Sequence, residues 1–142
     1  MKKTFFIAGT ILTIAAAMLI GCASFNTSIF NSSKLVSDTA VNATHIFNQY
    51  ASQTEPTSTQ EKVATIEKAR TNLYDLDRKL SITLNEVEIL RQQNASNSSA
   101  TSQQVIIDTL ASAQSQITNI VNVVKTITGQ DPTILPAAIV NK

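Results

Sequence analysis

The chain has 142 residues, with 11 Lys and Arg against 10 Asp and Glu, one histidine and one cysteine. So even a balance argues against a nucleic-acid partner, which would call for a clustered basic surface, and a lone histidine beside a lone cysteine excludes the usual three- or four-ligand zinc site. With only three glycines and three prolines in the whole chain, long uninterrupted helices are expected.

At the N-terminus, Lys2 and Lys3 precede an apolar stretch from Phe5 to Ile20 that carries no charge, closed by Gly21 and Cys22. A basic start, an apolar middle and small residues at the end form the three-part layout of an export signal. The quartet Leu19-Ile20-Gly21-Cys22 resembles the lipobox of bacterial lipoproteins. That resemblance covers residues 1–22. It implies cleavage between Gly21 and Cys22, a diacylglycerol on the Cys22 thiol and an acylated new amine. Two or more acyl chains anchor stably where a single chain holds only reversibly. Ala23 is not the aspartate of an inner-membrane retention signal, so the resemblance implies the periplasmic face of an outer membrane in a cell with two membranes. Two other readings compete: an ordinary signal cut after Ala23, or an uncut anchor, whose apolar run falls short of the ~20 residues a spanning helix needs.

From Cys22 to Lys142 the chain has 121 residues, nine Lys and Arg and ten Asp and Glu, the size of one domain. Residues 22–27 are expected to be a lipidated tether. A first helix is predicted over 28–53, because Ile29, Ser33, Val36, Ala40, Ala43, Phe47 and Tyr50 alternate steps of four and three along one face. Pro56 keeps Glu55 out of helical geometry, and Ser58 with Glu61 predicts a capping box for the next helix.

The second helix is predicted over 59–93. Ile66, Ala69, Leu73, Leu76, Leu80, Thr83, Val87 and Leu90 repeat in heptads, and Glu67–Arg70, Asp75–Lys79 and Glu88–Arg91 sit at ion-pair spacing, worth about 0.2–0.5 kcal/mol each. Residues 94–100 lack periodicity and are expected to form a loop. A third helix over 102–128 carries Ile106, Leu110, Ala113, Ile117, Ile120, Val124 and Ile127 on one face, with Thr101 and Gln104 as its capping box. Gly129 stands where a helix C-cap glycine belongs, and residues 129–142 form an apolar tail expected to fold back over the bundle or to dock elsewhere. The expected fold is all-α: an antiparallel three-helix bundle, since short connections favour antiparallel neighbours, or else a coiled-coil-like helical hairpin plus third helix that self-associates through its heptads.

No residue pattern carries chemistry. His45 falls off the apolar stripe, and Asp75/Asp77 and Glu86/Glu88, two apart, point to different sides of a helix. No nucleophile elbow, metalloprotease pair or phosphate loop occurs. No enzyme, no metal site and no cofactor are therefore expected. The third helix holds only two charges, Asp108 and Lys125, and its polar side includes Gln103, Thr109, Ser112, Gln116, Asn119 and Asn122. Because interface cores are depleted of charge, Asn119 and Asn122, with Ile134 and Leu135 of the tail, are the candidate contacts for a protein partner in the cell envelope. The leading expectation is thus a non-catalytic, lipid-anchored envelope protein that binds or positions a partner. A structural spacer is the alternative: the lipidated cysteine, the heptads and the terminal Lys142 distantly resemble the murein lipoprotein, which joins the wall through its last lysine. A phage-derived exclusion or lysis lipoprotein is a third reading.

Overall fold

The computed structural model describes residues 22–133. Three helices follow one another: α1 (Cys22–Thr54), α2 (Gln60–Ser96) and α3 (Ala100–Thr128), with a 3₁₀ turn at Glu55–Thr57 between the first two. Glu55, expected outside helical geometry before Pro56, is thus helical, and Pro56 sits in the first turn, where its missing N–H costs nothing. Each helix packs against both others, and the described residues include no strand.

The buried side chains give the direction of each helix. Phe25 and Ile29 of α1 share one cluster with Val87 of α2 and with Ile106 and Leu110 of α3. Val36 to Ala51 share a second with Ile66 to Leu80 and with Ala113 to Val124. Numbering therefore rises along α1, falls along α2 and rises again along α3, an up-down-up bundle. In α2 every seventh residue from Ile66 to Asn94 is buried, as a heptad stripe requires. In α1 the stripe mixes large and small side chains, with Ala40, Ala43 and Ala51 buried beside Val36 and Phe47. Burying a side chain of Leu or Phe size contributes about 1.5–3 kcal/mol, and the stripes of all three helices converge on that gain.

Several boundaries depart from expectation, each for a local reason. Residues 23–27 are not a tether but belong to α1. Phe25 extends the four-residue step from Ile29 by one turn and is 1% exposed. Most of the loop expected over 94–100 is helical, because Asn94 occupies the next heptad position after Val87 and is buried. Only Asn97–Ser99 separate α2 from α3.

The caps shift by one or two residues. Thr59 rather than Ser58 caps α2, its hydroxyl accepting from the Lys62 N–H, while the Ser58 hydroxyl donates to the Thr54 carbonyl at 2.6 Å. At α3 the box is Ser99 with Ser102, each side chain accepting from the other's backbone N–H at 3.1 and 3.0 Å. Gly129 closes α3 with φ 74° and donates to the Lys125 carbonyl at 2.9 Å. Of the predicted core positions, Ser33, Tyr50, Leu76, Thr83, Leu90 and Ile127 are only half-buried. Residues 1–21 with Gly21, and Ile134, Leu135 and Lys142, lie outside the described residues, and of Cys22 the backbone alone is described.

Candidate functional site

Asn119 and Asn122 are exposed on the side of α3 opposite its buried stripe. With Ala111, Ser112, Ser115 and Thr126, also exposed, they form an outer face that holds no charge between Asp108 and Lys125. Gln116, expected on the same face, is drawn inward instead. Its amide donates to the Thr83 hydroxyl of α2 at 3.0 Å, and its Oε1 is buried with no hydrogen-bond partner. Gln103 bends to the Ser98 hydroxyl at 3.2 Å, and the Thr109 hydroxyl returns to the Val105 carbonyl at 2.8 Å. The face open to contact thus narrows to its Ala, Ser, Asn and Thr members.

Two guanidinium groups of α2, Arg91 and Arg70, each hold carboxylates. Arg91 grips Glu88 through two hydrogen bonds, at 2.8 and 2.7 Å, and Gln92 adds a third at 2.8 Å. Those bonds, from Arg91 first and then Gln92, hold the Glu88 carboxyl below its ordinary value, and Glu88 in turn raises Arg91. The same guanidinium lies 5.7 Å over the Phe30 ring, joining α2 to α1 through a cation–π contact. At the other end Arg70 bridges Glu55, at 2.7 Å, and Glu67. Its pKa is raised by the Glu55 bond first. Of the three ion pairs expected along α2, Glu67–Arg70 and Glu88–Arg91 form; Asp75–Lys79 does not appear among the described residues. His45 is exposed on α1, and among the described residues no three His, Cys, Asp or Glu side chains gather as a metal site.

Beyond α3 the chain turns back to the bundle. Pro132 is buried and its carbonyl accepts from the Asn42 amide at 2.8 Å. Asp131 fixes this reversal: its carboxylate accepts from the Thr133 hydroxyl at 2.6 Å and backbone N–H at 3.0 Å, and pairs with Lys125 at 3.1 Å. The Thr133 bonds, with Lys125 after them, push the Asp131 pKa down to about 2.

Sequence reasoning placed Asn119 and Asn122 on an exposed face. It missed Asn94–Ser102, Arg91–Phe30 and Asn42–Pro132. Only the first had a signal, since Asn94 stands seven residues after Val87. No described helix is long and apolar enough to cross a membrane. No known protein family, curated protein or solved structure matches the chain.

Proposed function

We propose that this chain is a non-catalytic, lipid-anchored protein of the cell envelope, a helical bundle that holds the outer face of α3 toward a protein partner close to the membrane. The anchor is Cys22, on the strength of its lipobox-like surroundings. The observation that carries the partner reading is the exposed, uncharged α3 face around Asn119 and Asn122. Charged side chains are expensive to desolvate, so a face without them meets a partner at lower cost. The bundle supplies a rigid support, with the face on a helix rather than on a loop.

The test is crosslinking in the native cells, comparing the unaltered protein with Asn119→Glu and Asn122→Lys. Both positions are exposed, so the variants keep the fold, and loss of one specific crosslinked protein is the expected result. Crosslinks that survive both changes remove α3 from the contact. The anchor is tested separately: Cys22→Ser abolishes acyl labelling if the assignment holds, and labelling that persists refutes it.

A further inference from the structure

Among the described residues, the outermost turns at the end of the bundle that carries Cys22 hold no charge. Residues 22–33 at the start of α1 hold no charge before Lys34, and residues 92–107, which include the α2–α3 turn and the first turns of α3, hold none before Asp108. The two segments lie at one end of the molecule, because Phe25 and Ile29 pack with Val87 and Ile106. The opposite end carries Glu55, Glu61, Lys62, Glu67 and Arg70. We infer that this neutral end, built from the first turn of α1, the Asn97–Ser99 turn and the first turn of α3, is a docking surface for the lipid headgroup layer, so that the bundle stands end-on on the membrane.

The inference rests on the lipid anchor of the proposed function and adds an orientation to it. Its physical basis is the lack of slack. The chain is helical from Cys22 onward, and Phe25 is locked in the core, so acyl chains on Cys22 draw the bundle end itself against the bilayer. The headgroup layer of one leaflet is about 5–8 Å deep. At about 1.5 Å per residue, Lys34 lies about 18 Å along α1 from Cys22, and Phe30, over which Arg91 is stacked, about 12 Å. Lys34 and the Arg91 guanidinium over Phe30 are therefore beyond the headgroup layer when the bundle stands upright, and neither has to be desolvated there. Lying flat has no comparable support. A helix resting in the interface needs a continuous apolar side, whereas the exposed Phe30, Val41, Tyr74, Ile82, Ile89 and Val105 are spread over three helices.

The test uses the native full-length protein, purified with its acyl groups and reconstituted in phosphatidylethanolamine–phosphatidylglycerol vesicles containing headgroup-nitroxide lipid. Cys22 is the only native cysteine, so with it acylated a fluorophore attaches only at an introduced thiol. Ala95→Cys and Ala100→Cys report the neutral end and Gln60→Cys the far end, all at exposed positions. The expected result is quenching several-fold stronger at residues 95 and 100 than at residue 60. Equal quenching at both ends, or none at either on vesicle-bound protein, overturns end-on docking while leaving the anchor standing. Absence of acyl groups on Cys22 by mass spectrometry overturns both.

Discussion

At Asn94 the buried stripe of α2 carries an amide where the equivalent earlier positions carry Ile, Leu, Leu and Val. The Ser102 hydroxyl donates to its Oδ1 at 2.7 Å, but its Nδ2 is buried with no partner. An unpaired buried donor costs about 1–3 kcal/mol. Ser102 also reaches the Ser99 carbonyl at 2.9 Å, so it keeps an acceptor when the amide is removed. Asn94→Leu is therefore expected to stabilise the bundle by about 1 kcal/mol in urea denaturation; a loss of stability would show that the amide has a partner. Asp131 makes a prediction of opposite character. Its pKa falls from 3.8 to about 2 on folding, so its contribution is complete above pH 4 and disappears as pH drops toward 2. The side chain is half exposed, which keeps the effect below about 1 kcal/mol. The stability gap between the unaltered chain and Asp131→Ala should be present at pH 5 and vanish near pH 2; a constant gap would contradict the pKa assignment.

Among the elements, α2 gives the sharpest contrast. Leu80 is 1% exposed and Ile82, two residues on, is 60% exposed. Leu80→Ala is expected to cost about 2–5 kcal/mol through lost burial and the cavity left behind. Ile82→Ala is expected to stay within about 0.5 kcal/mol. Chemical denaturation of the two variants separates them, and a large loss at Ile82 would mean that its side of α2 is covered by a second copy. The same heptads made α2 legible in the sequence, and Gly129 with Pro132 made the end of α3 legible.

The remaining boundaries were hidden for definite reasons. Ser or Thr recurs at 57, 58 and 59 and again at 98, 99, 101 and 102, so several hydroxyls compete for each cap, and backbone geometry selects among them. Phe25 belongs to the core, yet it sits beside an export-type segment whose pattern suggests a linker. The α3 face was legible from charge alone. The inward turn of Gln116 was not, because it depends on Thr83 standing across the α2–α3 interface.

At the scale of the molecule the two ends differ in what holds them. Among the described residues, the cluster near Cys22 has five buried members, while the cluster spanning Val36 to Val124 has fourteen. Three of the buried, unpaired polar atoms, Asn26 Oδ1, Ser33 Oγ and Asn94 Nδ2, belong to the smaller end, and each such group weakens its surroundings. Local opening draws on the least stabilised part of a structure. Amides around Ile29, Val87 and Ile106 should therefore exchange through a lower-energy opening than those around Phe47, Leu73 and Val124, which should exchange only on global unfolding. Native-state hydrogen exchange at increasing denaturant distinguishes these regimes, since a local opening depends little on denaturant and a global one steeply. Uniform steep dependence across both sets would mean that the bundle opens as one unit. The proposed end-on docking gives this asymmetry a direction, because the less stabilised end is the one that would lie against the bilayer. Protection near Ile29 and Ile106 should then rise when the acylated protein is bound to vesicles, with little change near Phe47.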